Sequence, residues 1–243
     1  MSGTRTGSVT GLDDLPYALV VQTGKSLFRS LQLRRKVVGI ENVPAEGGAV
    51  LAITHFGYLD FALTEWAVWD LRGRITRFLA TTAAFRHPVG GPLMRAMRHI
   101  PVDRGAGADA YRQAVAALAD GELVGVFPES YVSRDRTLLP LRTGAVRMAA
   151  QAGVPVVPTV VWGGHRVLTA GHRPSLREAW RAPISITFGT PLQVGADEDP
   201  RAATDRLRDA LTGILADVRD DDPAECAGNL CQSIPQTKGG TSR

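Results

Sequence analysis

Two side chains in this sequence have the types and spacing for proton transfer. His55 and Asp60 bracket the stretch His55-Phe56-Gly57-Tyr58-Leu59-Asp60. A neutral imidazole can take the proton of an alcohol whose own pKa lies far above 7. A carboxylate on the other ring nitrogen fixes the tautomer and stabilises the imidazolium that forms. The chain has five histidines and sixteen aspartates, so some pair at this spacing arises by chance roughly a third of the time. The spacing alone does not make a site.

The neighbours of the pair add weight. Residues 49–54, Ala-Val-Leu-Ala-Ile-Thr, read as a buried strand that ends at His55. Gly57 permits a tight turn, and Asp60 falls where the next helix begins. Further candidates lie downstream. Ile100-Pro101-Val102-Asp103-Arg104 ends a strand-like stretch on a cation that suits a phosphate, or simply on a surface Asp–Arg pair. Phe127-Pro128-Glu129-Ser130 places a carboxylate at a strand's end, where it can meet substrate hydroxyls or merely shape a turn. Arg134 and Arg142 come next, with Gly144 leaving room for a phosphate to approach the backbone. In Gly153-Val154-Pro155-Val156-Val157-Pro158, two prolines bracket an apolar run, which predicts a strand near a sheet edge.

The elements that must hold these residues alternate. Strands are predicted at 37–40, 49–54, 75–80, 123–127, 156–161 and 184–188. Helices are predicted at 59–71, 90–98, 108–120, 142–152 and 200–219. That order predicts an α/β fold: one layered domain with a mixed, largely parallel sheet flanked by helices, whose ligands gather at strand ends. Residues 14–35 read as an amphipathic helix with Val20, Leu27, Phe28 and Leu31 on one side, Lys25 and Arg29 opposite, and Arg34, Arg35 and Lys36 closing it. Such a helix either lies on an anionic membrane or packs on the core with a solvated basic face. The organisation expected is a flexible start and basic helix over 1–35, a single domain over 36–219, and a disordered tail over 220–243.

Bulk properties narrow the classes. The 243 residues suit one large domain, and 44% hydrophobic with 21% charged residues is ordinary for a globular core. A net charge of +4 fits phospholipid headgroups, coenzyme A or nucleic acid equally well. Aromatics are only 6% and are not interleaved with a basic stripe, which argues against nucleic acid. Cys226 and Cys231 form neither a disulfide framework nor a zinc spacing, as expected of a reducing cytoplasm. No apolar run approaches the roughly 18 residues of a membrane span, and the first ten residues lack a secretory apolar core, so a soluble or peripheral protein is expected. There is no G-x-S-x-G and no Walker loop. Gly105-Ala106-Gly107-Ala108-Asp109-Ala110 matches a dinucleotide fingerprint, but Asp103 and Arg104 stand where that motif wants an apolar strand.

Taken in order, His-x4-Asp, Pro-x-Asp-Arg, Phe-Pro-Glu and Val-Pro-x-Val-Pro resemble the glycerolipid acyltransferase family, that of the 1-acylglycerol-3-phosphate acyltransferases. The resemblance spans about residues 37–190. It implies that His55 deprotonates the acceptor hydroxyl and that Asp60 orients His55. The hydroxyl would attack the thioester of acyl-coenzyme A or acyl carrier protein. Arg104 would bind the acceptor phosphate, and Glu129 would hold the glycerol part or the shape of the site. The 154–160 segment would support the acyl-donor side. The resemblance implies no metal and no bound cofactor; the partners are the acyl donor, a lysophospholipid and the cytoplasmic face of a membrane, where the protein is peripheral. The family's third segment usually runs Phe-Pro-Glu-Gly-Thr-Arg-Ser, and here Val132 stands at the arginine, as in an actinobacterial branch. Arg134 or Arg142 would have to replace that cation. Lysophosphatidic acid is the first expectation as acceptor, with glycerol-3-phosphate, lysophosphatidylinositol and glycolipids open, and a non-catalytic membrane-binding protein of the same fold as the different-class alternative.

Overall fold

The computed structural model describes residues 15–88, 90–103, 105, 107–169 and 175–222. The proposed loose start, Arg104, and the segment holding Cys226 and Cys231 lie outside the described residues.

Seven strands form one sheet in the order β1-β7-β6-β2-β5-β3-β4. They are β1 (Arg34–Val38), β2 (Ala49–Ile53), β3 (Thr76–Thr81), β4 (Ile100–Val102), β5 (Leu123–Val126), β6 (Val156–Trp162) and β7 (Pro183–Phe188). β6, β2, β5, β3 and β4 run one way; β7 is antiparallel to β6, and β1 is parallel to β7. The sheet is therefore mixed and mostly parallel, as expected. Helices α1 (Leu15–Ser30), α2 (Asp60–Arg72), α3 (Thr82–Arg86), α4 (Gly90–Ala96), α5 (Ala108–Ala119), α6 (Gly144–Ala152), α7 (Leu176–Ala179) and α8 (Pro200–Asp220) surround it.

β2 is the centre of the core. All five of its residues are fully buried, as a strand covered on both faces requires. Ala49, Leu51 and Ile53 point to the layer that holds Leu63, Trp66 and Phe28 of α2 and α1. Val50 and Ala52 point to the opposite layer, where α5, α6 and α8 contribute Ala114, Leu118, Val146, Leu207 and Leu211. α2 ends at Gly73, which takes the left-handed conformation (φ 63) with its N–H on the Trp69 carbonyl. α8 begins with Pro200 after Asp199, whose side chain caps the first turn.

The N-terminal expectation needs correction. The helix stops at Ser30, Gln32 turns with φ 52, and Arg34, Arg35 and Lys36 enter β1 rather than closing a helix. Pairing with β7, from Arg34 opposite Pro183 to Val38 opposite Thr187, decides this. The buried stripe of α1 is Tyr17, Val21, Lys25 and Phe28, and Leu27 is 59% exposed. Lys25 belongs to that stripe because its ammonium reaches Asp70 of α2 at 2.5 Å. Of the two readings of this helix, the structure shows the core-packing one for that stripe.

β6 is also corrected. It lies inside the sheet, between β7 and β2, rather than at an edge. Pro158 is tolerated there because its missing donor falls where β7 has ended: the Gly189 N–H already bonds to the Pro158 carbonyl at 2.7 Å. The short helices α3 and α7 were not assigned from the sequence, while β4 is the strand-like stretch read before Asp103 and Arg104. Residues 220–222 are not tail: Asp220 closes α8, and the Asp222 carboxylate accepts from Trp162 Nε1 at 2.6 Å and pairs with Arg166.

Candidate active site

The five co-directional strands end on one edge of the sheet, and His55 comes after β2 at that edge. Thr54 is locked first: its N–H bonds to the Thr159 carbonyl of β6, and its hydroxyl accepts from Val161 N. The His55 backbone is then gripped by the segment after β5. Its N–H donates to Glu129 Oε1 at 2.9 Å, and its carbonyl accepts from Ser133 N at 2.8 Å. The ring stacks on Phe127, centroids 4.0 Å apart. Phe127 stacks in turn on Phe78, which touches His99 and Phe61. An aromatic wall thus fixes the imidazole plane.

His55 Nδ1 lies 3.4 Å from Asp60 Oδ2. That is long for a hydrogen bond, because Oδ2 also accepts from Phe56 N at 2.8 Å and Gly57 N at 2.7 Å. Catalytic hydrogen bonds of this kind often tighten only with substrate in place. Asp60 is fully buried at the first position of α2, where the helix dipole favours a negative charge. Burial pushes its carboxyl above the usual range, and hydrogen bonds from His55 and the Gly57 backbone pull it back. The His55 side chain keeps 18% of its surface exposed, and its Nε2 has no hydrogen-bond partner among the described residues. Nε2 is therefore the nitrogen open to an incoming hydroxyl.

Glu129 is 3% exposed, and both of its oxygens are engaged: Oε1 by His55 N, Oε2 by Leu139 N at 2.8 Å. Burial raises its pKa, opposed by these two bonds. Of the two roles the resemblance offered, this geometry suits shaping the site, since the carboxylate is turned onto backbone. Arg134 and Arg142 are exposed and make no side-chain bond or ion pair among the described residues. The Arg142 N–H bonds to the Pro128 carbonyl, which ties the start of α6 back to the Glu129 turn. Gly144 opens α6 with nothing within 4 Å of where a Cβ would stand. Asp103, beside Arg104, accepts from Gly105 N through Oδ1. Val132 is half-buried in the loop after β5.

Sequence reasoning missed the residue that covers Asp60 from the other side. Asp60 Oδ1 is buried and has no hydrogen-bond partner. Gly164, just past β6, lies against it: a Cβ there would come within 2.6 Å of Oδ1. Two consecutive glycines after an apolar strand, Gly163-Gly164, were the available signal. Ser133 was missed as well; its hydroxyl is buried without a partner while its N–H holds His55.

Among the described residues no cluster of His, Cys, Asp and Glu could hold a metal ion. A cavity of about 330 Å³ lined by Tyr111, Arg147, Gln151 and Glu198 includes none of the residues placed around His55.

Comparison with known proteins gives the family and the fold. Residues 34–162 match the model of the family described as Acyltransferase. A 1-acyl-sn-glycerol-3-phosphate acyltransferase of Bacillus subtilis is 30% identical over 129 residues, 53% of this chain and 62% of that protein. A protein of the same description from Chlamydomonas reinhardtii is 28% identical over 203 residues, 82% of this chain and 56% of the relative. In both cases the match spans less than two thirds of the relative's length. The crystal structure of the 1-acyl-sn-glycerophosphate acyltransferase PlsC from Thermotoga maritima has the same fold, with TM-score 0.66 over 83% of this chain and 79% of that one, at 20% identity. With the family model covering 129 of its 243 residues, both halves of the His55 site included, the chain belongs to the acyltransferase family.

Proposed function

We propose that the protein transfers a fatty acyl group from acyl-coenzyme A or acyl carrier protein to a lysophospholipid hydroxyl, with 1-acylglycerol-3-phosphate as first acceptor and phosphatidic acid as product. One observation carries the reading: an imidazole clamped between Asp60 and Phe127 with its second nitrogen open at the strand ends. The acceptor hydroxyl gives its proton to His55 Nε2 as its oxygen attacks the thioester carbonyl. The tetrahedral intermediate collapses to the ester, and the thiolate leaves with the proton returned by the imidazolium. Asp60, buried and tied to Phe56 N and Gly57 N, stabilises that imidazolium without itself taking the proton. Glu129 acts as a positioning residue for His55 and for the loop to Leu139. Arg134 and Arg142, beside the site and unpaired, are the cations available for an acceptor phosphate.

The protein works at the cytoplasmic face of a membrane as a peripheral enzyme. The acceptor is a lipid, so the site must meet a bilayer, and no helix among the described residues is long and apolar enough to cross one. The test offers acyl-coenzyme A with a panel of lysolipids to the parent and to His55→Ala. Acylation of a phosphate-bearing lysolipid by the parent, lost in the variant, is expected. Thioester consumption that is absent with every acceptor would overturn the reading in favour of a non-catalytic binding protein.

A further inference from the structure

We infer that the sheet edge carrying His55 is also the face by which the protein docks on an anionic bilayer, with Leu176 of α7 and Trp180 just past its end as apolar contacts and Arg177 and Arg181 as headgroup contacts. The inference rests on the acyl-transfer reading in one respect: the acceptor is a lipid, so the site must face the bilayer.

α7 is short and turned outward. Leu176 is 80% and Trp180 52% exposed. Trp180, which caps α7, donates its N–H to the Leu176 carbonyl, which brings the two side chains together on the outer surface, while Ala179 is buried against the core. Arg177 and Arg181 flank the pair, also four apart. Glu178, the acid of this helix, has an interaction of its own. A large apolar pair set among cations matches the interfacial zone of a membrane, where indole and guanidinium both settle at headgroup level.

Topology places α7 beside the site. Because β7 is antiparallel to β6, it starts at the edge where β6 and β2 end, and β1 starts there too, with Arg34 opposite Pro183. Arg181 N bonds to the Leu31 carbonyl at the turn after α1. β7 and β2 are two strands apart in the sheet, about 10 Å along the edge. Ahead of α7, Tyr58 N bonds to the Leu168 carbonyl and the Thr169 hydroxyl to the Phe56 carbonyl, which ties that segment to the His55 loop. Tyr58 and Tyr131, 48% and 56% exposed, stand on the loops around His55.

Charge selects the occupant. Arg29, Arg34, Arg177 and Arg181 surround α7 and make no side-chain bond or ion pair among the described residues, and Arg134 and Arg142 repeat this beside His55. Arg86, which closes α3 after β3 at the same edge, makes none either. Arginines elsewhere are matched, as in Arg35–Asp70, Arg77–Glu122 and Arg206–Glu198. Among the described residues, Arg147, which lies over the Tyr111 ring, and Arg201, at the opposite edge, also lack such a partner. A second copy would bring the same unpaired cations and be repelled. An outward-turned apolar pair ringed by arginines suits a fluid anionic surface better than a shaped protein groove.

The test measures co-sedimentation of the full chain with vesicles of phosphatidylglycerol and phosphatidylcholine, and with phosphatidylcholine alone. The parent should bind the anionic vesicles at least tenfold more tightly and weaken with salt, because each cation near such a surface contributes about fivefold. The double variant Leu176→Ser/Trp180→Ser should lose at least tenfold in vesicle affinity, while its rate with a short-chain, monomeric acceptor stays within twofold. The control Leu19→Ser/Leu71→Ser, which removes exposed leucines from the far end of α1 and the last turn of α2, should bind as the parent does. A double variant that binds within twofold of the parent overturns the inference. So does a parent that ignores vesicles and instead binds an acyl carrier protein or self-associates. Vesicle binding lost in the double variant while no acceptor is ever acylated would keep the docking face and remove the acyl-transfer reading.

Discussion

Two buried charges pin loops at opposite edges of this sheet, and they do so in mirror fashion. At the edge where β2 and β5 end, Glu129 collects two backbone donors, His55 N and Leu139 N. At the edge where the same strands begin, Arg74 collects three carbonyls: Pro44 at 2.9 Å, Gly47 at 2.8 Å and Gly121 at 2.5 Å. Both are 3% exposed. The carboxylate ends on His55, the proposed base, whereas the guanidinium ends on two loops far from it, before β2 and before β5. On the proposed function, the same physical device serves positioning at one edge and stability at the other.

The largest expected effect lies at the first edge. His55→Ala should lower turnover on the order of 10³-fold or more, with the melting temperature nearly unchanged, as read by initial rates and thermal denaturation. Turnover within tenfold of the parent would dissolve the contrast between the edges. Gly164→Ala comes next. The added methyl must displace Asp60 Oδ1, so kcat should fall about 10–100-fold while KM for the acyl donor moves little. Glu129→Gln replaces one accepting oxygen with a donor facing a backbone N–H. Its kcat should fall about tenfold through misplacement of His55. An equal rise in KM with kcat unchanged would mean the carboxylate touches substrate instead.

Arg74→Ala tests the other side of the comparison. It leaves buried carbonyls without donors and should cost about 2–4 kcal/mol, lowering the melting temperature by roughly 5–15 °C in a chain of this size. The rate per folded molecule should be unchanged; a specific loss of kcat would show that the far edge also serves catalysis. The smallest effects come from titration. Burial holds His99 and His165 at about 4, below the ordinary 6.5 of histidine. Their contribution to stability is present above about pH 6.5 and is lost as pH falls toward about 4, because the unfolded chain takes up protons that the folded one resists. Glu65 has the opposite sign. Burial holds its carboxyl well above the usual 4.5, so its contribution is present below that value and lost as pH rises through the raised one. Glu65→Gln should accordingly raise the melting temperature by a few degrees at pH 8 and by less at pH 5, measured calorimetrically.

Much of this arrangement was legible in the residues. The apolar run 49–53 announced β2. The six residues 55–60 announced His55 at a strand end and Asp60 at a helix start, because burial and turn chemistry are local signals. The ordered segments also placed Glu129 near His55. The role of Glu129 was not legible: whether a carboxylate faces substrate or backbone depends on which N–H groups a distant loop presents. Gly164 was hidden for a related reason. Its importance is a contact made across more than a hundred residues with Asp60. α1 misled because its buried stripe contains Lys25, which a hydropathy pattern assigns to solvent until Asp70 is seen opposite. β6 misled because two prolines suggest an edge, and only the early end of β7 makes one of them acceptable inside the sheet.

The two outer strands carry a further consequence. A strand at the margin of a sheet offers a row of free backbone groups to any other chain that meets it. Here one margin is β1, which opens with Arg34-Arg35-Lys36, and the other is β4, three residues long with Pro101 at its middle. At the first, Arg34 stands without an ion pair among the described residues and charged side chains fill the opening of the strand, with Arg35 on Asp70 and Lys36 on Asp221; at the second, a proline without a donor on a very short strand denies a ladder. Proteins gathered on a surface collide far more often than they do in bulk. This sheet is built to survive such crowding without growing, strand upon strand, into an aggregate.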